Sequence, residues 1–100
     1  MAKIYITEYR RLGTDKSGNI IQTGENPPLA TQVVNITAGS LQSAAFNAST
    51  SLIRVHTDAI CSVEIGANPV ATANSSRMAA GTTEYLAVSS ALKIAVITNT

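Results

Sequence analysis

Apolar and polar residues alternate along most of this chain, and alternation of period two predicts β-strands. In KIYITEY, Lys3 to Tyr9, Ile4 and Ile6 alternate with Tyr5, Thr7 and Tyr9, and its β-branched and aromatic residues suit a pleated surface. TQVVNIT, from Thr31, reads the same way. GSLQSAAFNAST is ambiguous: Leu41, Ala44, Ala45 and Ala48 fit a helical spacing, but the segment is short and serine-rich, so a strand near Gln42 to Phe46 is expected. Four further runs, SLIRVHT, AICSVEIG, TTEYLAV and LKIAVIT, complete the set, and ANPVATANSSRMAAG between the second and third is a loop rich in turn formers. Strands about ten residues apart, with turn signals between them, predict an all-β, single-domain β-sandwich or jelly-roll-like barrel.

Between the first strand and Thr31 the pattern breaks. Gly13, Gly18, Gly24, Pro27 and Pro28 interrupt it, Asp15-Lys16-Ser17-Gly18 reads as a turn, and the two prolines block both helix and central strand. The expected organisation is an N-terminal strand and extended arm over residues 1–30, with at most a short strand near Asn19 to Gln22, followed by a β-sandwich domain over 31–100.

The stretch SLIRVHTDAICSVEIG holds the chain's one histidine and one cysteine, with His56, Asp58 and Cys61 within six positions. Strand parity places Ile53 and Val55 on one face and Leu52, Arg54 and His56 on the other. A hairpin across Thr57-Asp58-Ala59 would pair Val55 with Cys61 and Ile53 with Val63, apolar on apolar. His56 then lies on the mixed face and Cys61 on the buried one, on opposite sides of a sheet, where no Cys–His dyad can form. A second hairpin is expected across Ser89-Ser90-Ala91. One histidine and one cysteine do not supply a metal site. Glu64 and Glu84 could be imagined as a glycosidase pair, but each reads as an outward strand charge, and no phosphate-binding loop is present. The expectation is a non-enzymatic protein with no catalytic, metal or cofactor residues.

Composition narrows the partners. The net charge is +1 and the basic residues are scattered, so nucleic-acid binding is not expected. No run reaches the length of a membrane helix, and MAKIYITEYRR has charge where a signal peptide would have its apolar stretch. Charged residues are only 13% of the chain, about half the usual share. That suits a surface covered by other subunits, and a small cyclic homo-oligomer is expected.

The run RVHTDAICSVEIGANPVATANSSRMAAGTTEYLAVSSALKIAVI joins a buried hairpin, a loop with Asn68-Pro69, RMAAGTTEYLAV and a last apolar strand. It resembles small virion structural proteins of tailed bacteriophages over roughly Gln32 to Thr98. The resemblance implies a head decoration (cement) protein, assembled in the host bacterial cytoplasm, that binds the major capsid protein on the outer capsid surface and stabilises the shell. A head fibre base or tail component is one alternative. A carbohydrate- or ligand-binding β module is another, weakened by having only Tyr5, Tyr9, Tyr85 and Phe46 to stack on a sugar. The expected contact residues are Ile4, Tyr5, Ile6 and Tyr9, on a strand edge open to β-augmentation, with Arg10, Arg11, Pro27 and Pro28 in the arm.

Overall fold

A computed structural model describes residues 2–100, which form ten strands and no helix. In chain order they are β1 (Lys3–Tyr9), β2 (Leu12–Thr14), β3 (Ile20–Gly24), β4 (Ala30–Asn35), β5 (Leu41–Gln42), β6 (Leu52–Thr57), β7 (Cys61–Gly66), β8 (Ser76–Met78), β9 (Thr83–Ala87) and β10 (Lys93–Thr98). Eight of them make two four-stranded sheets, ordered β4-β1-β6-β9 and β5-β10-β7-β8, while β2 and β3 form a separate two-stranded hairpin. The fold is a β-sandwich, as the strand spacing predicts.

Alternation builds the core. Ile4, Ile6, Val34, Ile53 and Val55 point inward from the first sheet, and Cys61, Val63, Met78, Ile94 and Val96 from the second. Ile36 and Phe46, from connecting segments, complete the same cluster. With one phenylalanine and no tryptophan, branched aliphatic side chains fill the space between the sheets.

The pairing is nested. β7 lies beside β8, β6 beside β9, β5 beside β10 and β4 beside β1, all antiparallel. The pairs β1–β6 and β7–β10 join these into the two sheets. Of the seven links between successive sandwich strands, only β1 to β4 and β7 to β8 stay within a sheet, and the other five cross from one sheet to the other.

Both expected hairpins are therefore corners. β6 does not pair with β7: Val55 lies opposite Ile6 and Glu84, and Val63 opposite Val96 and Ser76. The turn is drawn away from β6 because Asp58 donates its N–H to the Lys3 carbonyl (3.0 Å), while Thr57 Oγ1 donates to the Ala59 carbonyl (2.6 Å) and bends the chain. β9 and β10 likewise part company, across a turn in which Ala91 adopts φ 66°. The inward faces are nevertheless those expected, with Ile53, Val55, Cys61 and Val63 all buried.

The first strand also differs from expectation. β1 is paired on both sides, by β4 and by β6, so Lys3 to Tyr9 is an inner strand of the sandwich and offers no free edge. The arm is a folded hairpin. Asp15 accepts from the N–H groups of Ser17 (2.8 Å) and Asn19 (2.9 Å), and Gly18 at φ +85° takes the left-handed position that glycine adopts without strain. The strand expected over Gln42 to Phe46 is regular only at Leu41–Gln42. Beyond that the chain still follows β10, with Ser43 N–H on the Ile94 carbonyl (2.8 Å) and Phe46 N–H on the Leu92 carbonyl (2.9 Å).

Candidate interaction face

The two sheets present different outer faces. The second is covered by the chain itself. Gln42 donates to the Asn68 side chain (2.9 Å) and the Pro69 carbonyl (2.8 Å), and Ala71 N–H donates to Ser40 Oγ (2.9 Å). Asn99 Nδ2 reaches Ser62 Oγ (2.6 Å) and the Ala73 carbonyl (3.2 Å). The β7–β8 loop and the C-terminal residues are thereby fastened over the sheet, and Ser62 and Ala95, outward by strand parity, are fully buried.

The outer face of the first sheet has no such cover over most of its area. The register sets Tyr5 between Val33 and His56, and Arg54 between Thr7 and Tyr85. Val33 and Tyr85 are about half exposed, Tyr5 somewhat less. Tyr5, Thr7, Thr31, Val33, Arg54 and His56 line an open depression of about 400 Å³. His56 Nδ1 shares a hydrogen bond with Thr83 Oγ1 (2.8 Å), which fixes the ring within this face.

At one end of the face stands the β2–β3 hairpin. Its Gly24 lies flat on the Tyr9 ring, where an added Cβ would come within 2.4 Å of Tyr9 Cγ, so only glycine allows that approach. Arg11 Nε and Glu25 Oε2 (2.9 Å) pair at the hairpin base. Leu12, Gln22, Ser51, Leu52 and Tyr85 line a second depression, about 390 Å³, between hairpin and sheet. Ile20 and Ile21 project into solvent, with Ile20 69% exposed.

These positions sort the expected contact residues. The Ile4 and Ile6 side chains are sealed in the core, and the Tyr9 ring is covered by Gly24, so none of the three side chains can meet a partner. Tyr5 lies on the open face. Arg10, Pro27 and Pro28 come together with Glu25 and Leu29 around a depression of about 350 Å³, and Arg11 is held in its ion pair. Sequence reasoning did not single out Val33, Arg54, Ile20 or Ile21 as contact residues and considered Tyr85 only for sugar stacking; their exposure depends on which face the fold leaves uncovered, which no local pattern shows.

His56 and Cys61 face opposite ways. Cys61 Sγ lies inside and donates to Thr57 Oγ1 (3.5 Å); burial pushes its pKa up, partly opposed by the Thr57 contact. Glu64 and Glu84 both border a cavity of about 170 Å³ at the open side of the sandwich, where Glu64 Oε1 accepts from Ser75 Oγ (3.0 Å). Among the described residues no three His, Cys, Asp or Glu side chains converge as metal ligands.

Glu8 is the unanticipated group. It shares the inward parity of Ile4 and Ile6 and is 1% exposed. Its carboxylate accepts from Asn47 N–H (2.7 Å), Thr50 Oγ1 (2.9 Å) and Gln32 Nε2 (2.9 Å). Gln32 in turn accepts from Ala44 N–H (2.9 Å). The network ties the β5–β6 connection to the first sheet, and every lone pair used is met by a donor, which is what permits burial of a polar group.

Comparison of the chain with protein-family models, with curated proteins and with solved structures finds no match.

Proposed function

We propose that this chain is a non-enzymatic virion structural protein of a tailed bacteriophage, of the head decoration type, whose open face and β2–β3 hairpin rest on the major capsid protein. One observation carries the reading: the chain closes one face of its sandwich with its own loop and leaves the other bare, beside a projecting hairpin tipped with Ile20 and Ile21. Apolar groups displayed in this way suit contact with a protein surface. A surface this small makes only a weak single contact, and copies repeated on a lattice gain strength by avidity. The nested pairing is jelly-roll-like, an architecture shared by viral capsid and lectin domains, and that likeness is an analogy of fold only. A head fibre base or tail position would use the same surface.

A second reading has a specific observation behind it. Tyr5 and Tyr85 sit on the same open face, two strands and two residues apart, roughly 12 Å by standard strand spacing. Arg54 and His56 lie between them, an arrangement that could stack and hydrogen-bond a saccharide chain.

The test uses purified heads lacking the protein. Wild-type chain should bind them in many copies per particle, and Ile20→Asp with Ile21→Asp should weaken binding at least tenfold while the sandwich stays folded. No binding to heads, together with glycan binding lost in Tyr5→Ala and Tyr85→Ala, would replace the first reading with the second.

A further inference from the structure

The sandwich has four strand edges, and three are guarded. An open edge displays unpaired N–H and C=O groups that recruit further strands, and proteins suppress this with short edges, charge, proline or bulges. β5 has two residues and β8 three, too few for a ladder. β9 carries Glu84 on its core-facing side, an inward charge that a neighbouring strand would have to bury.

β4 has none of these devices. Ala30–Asn35, ATQVVN, contains no charge and no proline, and its register against β1 runs without a bulge. Ile36 N–H donates to the Ala2 carbonyl (3.0 Å), which sets the even-numbered residues toward β1. Thr31, Val33 and Asn35 therefore turn their N–H and C=O groups outward, and all three are exposed. With β4 last in its sheet, those six groups face no strand.

We infer that β4 pairs antiparallel with β4 of a second copy, across a two-fold axis at Val33. In this register Val33 meets Val33, Thr31 meets Asn35 of the second copy, and the outward groups form six hydrogen bonds. The strand is its own complement: an apolar centre, a Thr–Asn pair on each side, and no like charges brought together. Isologous self-pairing of this kind closes at two copies. It joins two four-stranded sheets into one of eight and makes the two open faces continuous, with Val33 and Tyr5 flanking the axis. A second copy is chosen over a strand from another protein because this self-match needs no other sequence. The inference does not depend on the virion reading. One short strand per partner falls below the roughly 800 Å² that standard interfaces bury on each side, so the dimer is weak and forms at high concentration.

Sedimentation of the full chain, followed up to about 1 mM, where even a dimer of roughly millimolar Kd is substantially populated, should show a monomer–dimer equilibrium. Val33→Pro removes one outward N–H and leaves the β1 ladder intact, and it should weaken association at least tenfold. If that variant misfolds, Val33→Lys, which sets two ammonium groups on the axis, gives the same reading. Register is tested with single cysteines, since native Cys61 is fully buried. Val33→Cys should cross-link to itself under oxidation, whereas Thr31→Cys and Asn35→Cys should link only when mixed. A strict monomer at the highest concentration would overturn the proposal, as would undiminished dimerisation of folded Val33→Lys or equal cross-linking of all three cysteines alone. A monomeric wild type whose head binding fails in Val33→Pro would also overturn it, in favour of a capsid strand at this edge.

Discussion

The two sheets have the same number of strands and share one core, yet they treat their outer faces in opposite ways. Over the second sheet, the Gln42, Ser40, Ser62 and Asn99 side chains fasten a loop and the C-terminal residues until Ala95 is fully buried. Over the first, Tyr5, Val33 and Tyr85 stay open beside Arg54 and His56. The difference teaches where to look for an interaction surface when, among the described residues, no three metal-ligating side chains converge. A face that the protein closes for itself contributes to stability, and a face it leaves bare is available to something else.

Substitutions at matched positions can break this contrast. The largest effect is expected from Ala95→Glu, which forces a carboxylate under the loop beside Glu64 and should cost about 3–5 kcal/mol, the range for an uncompensated buried charge. Thr7→Glu, the same kind of change on the open face and opposite Arg54, should shift stability by no more than about 0.5 kcal/mol. Denaturant midpoints of the two variants measure this directly; equal losses would mean that the faces do not differ.

Glu8→Gln sharpens the contrast from inside. It sets an amide N–H₂ where donors already converge, and it should cost about 1–3 kcal/mol. Amide exchange should rise first around Asn47 and Thr50, the segment that the carboxylate holds.

Gly24→Ala, on the open side alone, drives a methyl group into the Tyr9 ring. It should cost about 1–3 kcal/mol by overpacking, and the β2–β3 hairpin should lift while the second sheet is unchanged. Nuclear magnetic resonance shifts confined to residues 9–25 would bear this out.

The smallest expected effect is one of pH at the hairpin tip. Hydrogen bonds from Asn19, helped by those from Ser17 and Gly18, hold the Asp15 carboxyl below its usual range. A lowered carboxyl pKa favours the folded turn above the ordinary carboxylate range, and the benefit is lost as pH falls through the lowered value. The tip should therefore fray in acid before the sandwich does, seen as loss of the distinctive Ser17 and Asn19 amide shifts.

Period two made the faces legible in the sequence and left the partners hidden. Ile53, Val55, Cys61 and Val63 point inward whether β6 and β7 lie side by side in one sheet or face each other across the core, because both arrangements set apolar on apolar. What separates the two is the competition for β6 from β1 and β9, elements remote in sequence. The same limit hid Glu8: its parity matched Ile4 and Ile6, but its donors Gln32, Asn47 and Thr50 lie 24 to 42 residues away. The Asp15 turn was legible, being local. The open face was not, because exposure of Val33 and Tyr85 depends on which sheet the β7–β8 loop happens to cover.

Binding to heads by a pair of charge-introducing variants tests the central claim most directly. Tyr85 on the bare face and Val70 on the covering loop are both exposed, at 50% and 64%. Tyr85→Asp should lower binding to heads at least tenfold with the fold intact, and Val70→Asp should bind as wild type does. Loss of binding in Val70→Asp with none in Tyr85→Asp would place the working surface on the side we have assigned to stability alone, and would contradict the account.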